Sequence, residues 1–296
     1  LQQFEEHLRK PRKIVYEKKD GSKTETTRPG LKSQSIADYF TRLRVLFYAA
    51  IDEYNDEDAE LALITHNPFR KMKIKVSEEP EKRDLSMVDL LKIINAPEYD
   101  GRCGMARDVF LLSFYFLGMN TADIFSVDEM ADGRITYRRQ KTAGRRKDEA
   151  LMSVKIEPEV EALMKKYRDP SKKRVFRFYK MYPGHREFNR NVNVGLRQLA
   201  KKEGLPESLT SYYARHTMAT IAFNYCGFSE AEIGIALNHV GGFGKELDAG
   251  LRVTRGYINR DWSRVDTFNR TVLDFVNDVA TGEILIKDGK PMKKEK

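Results

Sequence analysis

The segment that most constrains the fold is an almost unbroken apolar run, VFLLSFYFLGM, from Val109 to Met119. It belongs to a stretch, Arg102 to Leu117, that puts apolar side chains on nearly every face of a helix, and Gly118 follows where that helix would end. A helix without a polar face must be surrounded by other elements, so we expect it at the centre of a large core. The run is far shorter than the ~20 residues of a bilayer span.

The composition indicates a soluble globular protein with a preference for polyanions. Of the 296 residues 41% are hydrophobic, and 53 Lys and Arg against 44 Asp and Glu give a net charge of +9 and a pI near 9.3. This surplus favours nucleic acid as a partner, although many basic proteins bind none. The first residues lack the apolar segment of a secretion signal.

The two cysteines, Cys103 and Cys226, stand in apolar helical contexts without CxxC or Cys/His spacing. We therefore expect buried thiols in a reducing compartment, and no metal. The chain begins with Leu1 rather than Met, which suggests a piece of a longer protein with a further segment before it.

A helical module is predicted over residues 1–78. After a polar stretch to residue 34, Ser35 can cap an amphipathic helix that carries Arg42 on its other face. Basic residues follow around Phe69, namely Arg70, Lys71, Lys73 and Lys75. They form either a solvated basic surface or a surface that lies against phosphates. The charged, proline-containing segment 77–84 has the composition of a linker and marks a domain boundary.

A second domain is predicted over residues 79–280. Ser86 can cap its first helix, and strands near 134–140 and 149–155 form a β-hairpin with a basic tip from Lys141 to Lys147. Further helices are expected at roughly 157–167, 186–203, 211–226, 229–237 and 262–279. Residues 281–296 form a C-terminal tail whose last ten residues are expected to be disordered. The predicted fold class is mainly α with a small β-hairpin or sheet (α+β).

The helix from residue 211 carries a charge on its buried stripe. Met218, Ala222 and Tyr225 define that stripe by helical spacing, and Arg215 lies on it three residues before Met218. A buried guanidinium is costly unless an anion pairs with it, and Tyr212 lies beside it one turn earlier. This helix alone would be explained by an internal pair between Arg215 and a carboxylate.

Four motifs in order resemble those of the tyrosine recombinases, the phage-integrase family. YYARHTMAT around Arg215 resembles the HxxRH box, ALNHV (236–240) the LGH box, and VTRGYIN supplies a tyrosine after it. Upstream, LGMNTADI (117–124) resembles the GxRxxE box, and RRQKT (138–142) resembles the hairpin that carries the family's lysine. The resemblance implies a helical, SAM-like core-binding domain at 1–78 and a catalytic recombinase domain at 79–280.

The resemblance also implies a mechanism without metal, ATP or another cofactor. Tyr257 would attack a DNA phosphate, leaving a 3′-phosphotyrosine and a free 5′-hydroxyl. Arg215 would bind the non-bridging oxygens, and Lys141 would protonate the leaving oxygen. His239 would hydrogen-bond the phosphate or assist proton transfer, and Tyr212, at the first histidine of the HxxR box, can donate a hydrogen bond.

The chain departs from the family at Asn120, where the first catalytic arginine should stand. An amide carries no charge, and losing an oxyanion donor commonly costs ~3–4 kcal/mol. Arg107, Arg139 and Arg145 are the candidates to replace it, and the sequence does not choose between them. Bacteroides-type integrases of anaerobic gut bacteria are similar in lacking this arginine. The residues expected to contact DNA are Asn120, Arg139, Arg145, Arg42, Arg70, Lys71 and Lys73.

For several of these residues the sequence also allows a purely structural role or departs from the usual spacing. His239 and Tyr257 are 18 residues apart (257 − 239), longer than is usual in the family, with a glycine-containing segment that suggests a flexible loop. Tyr257 is one of 14 tyrosines and could simply pack. Lys141 shares its tip with other basic residues, and His216 is expected to be structural.

The predicted function is site-specific DNA recombination in the cytoplasm of a bacterium, in association with the nucleoid. Its partners are double-stranded DNA and copies of the chain, as a monomer in solution and a homotetramer on DNA that uses residues 261–296 for contact. Asn120 motivates the alternative, a catalytically weak relative that acts as an architectural or regulatory DNA-binding protein. A third alternative is a type IB topoisomerase.

Overall fold

A computed structural model describes residues 1–17, 20–55, 62–70, 72, 83–145, 148–238, 262–287 and 290–293. The chain divides into two compact units, Leu1–Glu81 and Lys82–Lys296. Helices dominate the described residues, and the strands form small antiparallel sheets. The predicted fold class, mainly α with a small β component, is therefore confirmed.

The first unit contains two helices and a β-hairpin. Its elements are α1 (Gln2–Arg9), β1 (Arg12–Glu17), β2 (Lys23–Arg28) and α2 (Ser33–Tyr54). Leu8 packs with Ile36, Phe40 and Phe69 in a small core. The predicted cap at Ser35 is wrong, because α2 begins at Ser33 after Lys32.

The second unit is built around one buried helix, as the apolar run predicts. Its helices are α3 (Met87–Asn95), α4 (Gly101–Tyr115), α5 (Thr121–Ser126), α6 (Pro158–Tyr167), α7 (Phe178–Met181), α8 (His185–Glu203), α9 (Tyr212–Asn224), α10 (Glu230–Ala236) and α11 (Ser263–Thr281). α4 packs against α8, α9 and α6, and nearly all of its side chains are buried. Ser86 caps α3 as predicted, with its side chain accepting a hydrogen bond from the Asp89 amide at 3.1 Å.

A three-stranded antiparallel sheet lies beside this helical core. It consists of β3 (Glu129–Ala131), β4 (Arg134–Arg138) and β5 (Leu151–Lys155), in that order. The predicted hairpin is therefore present, with each strand two residues shorter and a third strand added at its edge. β4 ends at Arg138, and the next residue, Arg139, is buried.

The C-terminal region differs from the prediction of a disordered tail. Strands β6 (Ile284–Lys287) and β7 (Lys290–Lys293) pair antiparallel after α11. α11 itself is held by Asn269, whose side-chain amide donates to the Tyr115 carbonyl at 3.0 Å. Among the helices described, none has the length and apolar character needed to cross a membrane.

Candidate active site

Arg215 is fixed in the interior of the second unit by two backbone carbonyls. It lies on α9 and is only 5% exposed. Its guanidinium donates to the Gly118 carbonyl at 3.1 Å and to the Leu237 carbonyl. Among the described residues no carboxylate forms an ion pair with it, and its Nε has no hydrogen-bond partner. The internal ion pair expected from the helix alone is thus not found in this part of the chain.

The chain passes Arg215 so closely at Gly118 that a side chain would not fit. Gly118 has φ +66°, and a Cβ there would lie 2.6 Å from the Arg215 Cα. Leu117 before it also has a positive φ, 57°. This left-handed turn ends α4 and places the Gly118 carbonyl where the guanidinium binds it.

A second buried arginine and one buried carboxylate lie near Arg215. Arg139 is 6% exposed and donates to the Asn238 carbonyl at 3.2 Å, while its Nε has no partner among the described residues. Asp123 is 2% exposed and accepts the backbone N–H of Gln140 at 3.0 Å. Two guanidiniums and one carboxylate leave this cluster with a surplus positive charge.

The pKa shifts of this cluster arise first from burial and then from its neighbouring charges. Burial and then the neighbouring Arg139 lower the pKa of Arg215 to about 10. Burial raises the pKa of Asp123, even though the backbone N–H of Gln140 and the guanidiniums of Arg139 and Arg215 favour its charged form. One carboxylate can balance only one of the two buried guanidiniums, so a further anion would be bound favourably.

A cavity of about 330 Å³ opens beside Arg215. Apart from Gly118, its lining side chains are polar or positively charged, and none of them is a carboxylate. They are Arg83, Ser113, Asn120, Thr121, Asn189, Asn193, Thr210, Ser211, Tyr212 and Arg215. Such a wall offers many N–H and O–H donors, two guanidiniums and no competing negative charge, which suits an anion with several oxygens.

Two asparagines of α8 form hydrogen bonds along one wall of the cavity. The Asn189 side-chain oxygen accepts hydrogen bonds from the Thr121 hydroxyl at 2.8 Å and the Ser211 hydroxyl at 3.3 Å. The Asn193 side-chain oxygen accepts the Ser211 backbone N–H at 2.9 Å. These bonds use the amide oxygens and join α8 to the starts of α5 and α9, so both helix starts are held at the cavity.

The three candidates for the missing arginine have different surroundings. Arg107 donates to the carbonyls of Ile93 and Ile94, at 3.0 and 2.6 Å, and pairs with a carboxylate, so it is committed elsewhere. Arg139 lies next to Arg215 but does not line the cavity. The side chain of Arg145 is outside the described residues. Asn120 does line the cavity, and its side chain favours the charged form of Asp123, against the larger effect of burial, which raises the pKa of that carboxyl.

Tyr212 stands at the mouth of the cavity. It is 38% exposed, and its ring meets the His216 ring edge to face with centroids 4.7 Å apart. His216 does not line the cavity; burial and then Arg83 lower its pKa. Tyr212 thus lines the cavity, and His216 packs against its ring.

Several predicted site residues lie elsewhere or are not described. Lys141 is exposed in the turn after β4 and does not line the cavity. Arg42 and Arg70 are exposed in the first unit, with Arg42 at a shallow cavity that Asp38 also lines. Tyr257, His239, Lys71 and Lys73 lie outside the described residues.

The two buried arginines also hold the chain just before His239. Arg215 bonds the Leu237 carbonyl and Arg139 bonds the Asn238 carbonyl. The Asn238 side chain in turn donates to the Ala150 carbonyl at 2.8 Å. The start of the segment that contains His239 and Tyr257 is therefore anchored to the same cluster as Arg215.

Comparisons with known proteins are sparse. No protein-family model matches the chain, and no curated protein matches it. One solved structure is similar, the XerH site-specific recombinase bound to difH substrate in a pre-cleavage complex. It has a TM-score of 0.43 and 15% identity over 79% of this chain and 69% of that chain. At that TM-score the likeness carries no conclusion about this chain, which leaves the geometry of the cavity as the basis for a function.

Proposed function

We propose that this chain is a site-specific DNA recombinase that cuts and rejoins DNA through a 3′-phosphotyrosine at Tyr257. The observation that carries the proposal is Arg215, a buried guanidinium at a polar cavity whose lining residues include no carboxylate. A protein that buries a charge without an internal partner needs an external one, and phosphate matches a guanidinium in geometry and charge. The order of the sequence motifs supports the same reaction.

In the proposed reaction the Tyr257 oxygen forms a bond to phosphorus while the bond from phosphorus to the 5′-oxygen breaks. The phenolic proton leaves to a base, for which His239 is proposed, and the 5′-oxygen receives a proton from Lys141. Arg215 and the hydroxyl of Tyr212 stabilise the charge that develops on the non-bridging oxygens. One phosphodiester is exchanged for another, so neither ATP nor a metal is required.

The proposed partners follow from this reaction. Strand exchange joins two DNA duplexes and requires a nucleophile for each broken strand, so we propose a homotetramer on double-stranded DNA. Residues Arg42, Arg70, Lys71 and Lys73 of the first unit, and Arg145 of the second, are proposed to contact phosphates outside the cavity. We propose that the protein acts in the bacterial cytoplasm at the nucleoid.

A second function is favoured by one observation, the uncharged Asn120 in the cavity wall. With this substitution the chain would bind a DNA site but cleave slowly, and it would act as an architectural or regulatory protein. The two proposals share the phosphate contact at Arg215 and differ only in the covalent step.

Trapping on a nicked DNA substrate separates the two functions. DNA fragments that flank the protein's own gene, each with a nick close to the cleaved phosphate, are incubated with the protein and resolved on a denaturing gel. The recombinase is expected to form a covalent adduct that Tyr257→Phe loses and Tyr225→Phe keeps, because the ring of Tyr225 stacks on Phe275 outside the cavity lining. Binding without an adduct would support the second function. Relaxation of plasmids that lack any specific site would indicate a topoisomerase instead.

A further inference from the structure

We propose that Arg83 supplies the second positive charge on the bound phosphate, the charge that Asn120 does not carry. This inference rests on the proposed function and adds a residue to its site. Segment 77–84 has the composition of a linker, so the sequence gives Arg83 no role in chemistry. The structure places it in the wall of the cavity that contains Arg215, Asn120 and Tyr212.

The backbone beside Arg83 is tied to the helix that carries Arg215. The Leu85 N–H donates to the Thr217 hydroxyl at 2.9 Å, and both residues are buried. Thr217 is two residues after Arg215 on α9, and Ser86 caps α3 directly after Leu85. The chain is therefore bound to α9 two residues after Arg83.

The side chain of Arg83, by contrast, is uncommitted. It is exposed, and it has no hydrogen bond or ion pair with any described residue. Its charge is close enough to α9 to lower the pKa of His216, after the larger effect of burial. A guanidinium that lines an anion cavity and is bound to nothing within the described chain is available to a ligand.

The other arginines near the site are less suited to this role. Arg107 is held by two backbone carbonyls and Asp108. Arg139 is buried behind the cavity wall and bonds Asn238, which makes it a positioning residue for the segment that begins there. Arg83 and Arg215 are the two guanidiniums in the cavity lining. Together they can bind two non-bridging oxygens of one phosphate from different elements.

The first test measures cleavage of the nicked substrate by Arg83→Ala, Arg83→Lys and Arg168→Ala. Arg168 is an exposed arginine outside the cavity lining and serves as the matched control. We expect Arg83→Ala to slow adduct formation roughly a hundredfold, as loss of an oxyanion donor does, with Arg83→Lys intermediate and Arg168→Ala unchanged. The deficit of Arg83→Ala should shrink on a substrate whose cleaved phosphate is a neutral methylphosphonate, because less charge then needs neutralising.

A second measurement does not depend on cleavage. In the Tyr257→Phe background, the dependence of DNA affinity on salt concentration reports the number of phosphate contacts. Arg83→Ala should reduce the slope of log affinity against log salt by about one, and Arg168→Ala should leave it unchanged. This result would support the Arg83 contact even if the wild-type protein formed no adduct, so failure of the proposed function is distinguishable.

The inference is overturned if Arg83→Ala leaves both the cleavage rate and the salt slope at wild-type values. It is equally overturned if the cleavage deficit is the same on phosphate and on methylphosphonate while the salt slope is unchanged. That pattern would give Arg83 a purely structural role, which a lowered melting temperature would confirm.

Discussion

Arg215 is the residue on which the chemistry of the site depends. Its two carbonyl bonds satisfy part of its hydrogen-bonding capacity but none of its charge. A buried cation left in this state costs several kcal/mol in other proteins, and a bound phosphate would remove most of that cost. A phosphate in the cavity could also accept a hydrogen bond from the Arg215 Nε, which has no partner among the described residues.

The lowered pKa of Arg215 leads to a pH prediction. Its guanidinium loses its proton at lower pH in the folded chain than in the unfolded chain, at a pKa of about 10. Phosphate binding needs the protonated form, so affinity is retained below that pH and lost as the pH rises through it. In the Tyr257→Phe protein, DNA affinity should fall more steeply between about pH 8 and about pH 10.5 than in a protein that also carries Arg215→Gln. Identical profiles would contradict this prediction.

Substitution of Tyr212 tests the contribution of one uncharged hydrogen-bond donor to the proposed cleavage reaction. A hydrogen bond to a charged group contributes about 1.5–3 kcal/mol, so Tyr212→Phe should slow adduct formation by about ten- to a hundredfold. Folding should be unaffected, because the ring contact with His216 is kept. Cleavage kinetics measure the rate of adduct formation, and thermal melting checks that folding is unaffected. A wild-type cleavage rate would exclude the hydroxyl from the site.

At the residue scale the motifs and the cavity agree on three residues, while other residues of the cavity wall have no motif. Arg215, Asn120 and Tyr212 were predicted from motifs and line one cavity. Asn189 and Asn193 were missed, although two asparagines four residues apart beside the buried Phe188 and Val192 signal a polar wall on α8. Arg83 had no local signal, because its role depends on a tertiary hydrogen bond between Leu85 and Thr217.

At the scale of elements, the turn at Gly118 after α4 packs closely against Arg215 of α9. Gly118→Ala should lower the free energy of unfolding by about 2–4 kcal/mol, since a positive φ costs about 1 kcal/mol and overpacking costs about 1–3 more. Gly133→Ala is a matched control, because Gly133 has a similar φ, +70°, with nothing near its Cβ position. It should lose only about 1 kcal/mol. Urea unfolding measures both, and equal losses would mean that the close approach to Arg215 is not tight.

The helices of the second unit follow the sequence closely for a physical reason. Apolar periodicity and caps act locally, so α8, α9 and α10 begin and end within about two residues of the predicted bounds. The sequence does not predict the N-terminal hairpin, because β2 is wholly exposed and β1 nearly so, which leaves no sustained apolar alternation. The Asp20–Gly21 pair, with Gly21 at φ +78°, was the available turn signal.

At the scale of the whole molecule, the cavity belongs entirely to the second unit. All of its lining residues, from Arg83 to Arg215, lie within Lys82–Lys296. The predicted linker at 77–84 overlaps the division between Glu81 and Lys82, which is where the composition becomes polar and charged. The sequence alone does not separate the linker from the residues that line the cavity, because both have the same polar composition.

This division into two units predicts how many of the phosphate contacts belong to each unit. A fragment of residues 82–296 should fold and, at low salt, still form the covalent adduct. Without Arg42, Arg70, Lys71 and Lys73, its slope of log affinity against log salt should be smaller by roughly two to four, at about 0.9 for each lost phosphate contact. Binding titrations across a salt series measure this, and equal slopes for the fragment and the full chain would exclude the first unit from DNA binding.

The central claim is that Arg215 binds the phosphate that Tyr257 attacks. The most direct measurement is a crystal structure of the Tyr257→Phe protein bound to an uncut DNA site. We expect the cleaved phosphate in the cavity, with a non-bridging oxygen about 3 Å from the Arg215 guanidinium and the ring of residue 257 on the side opposite the 5′-oxygen. A phosphate backbone that passes elsewhere, with Arg215 still bound only to the carbonyls of Gly118 and Leu237, would contradict the claim.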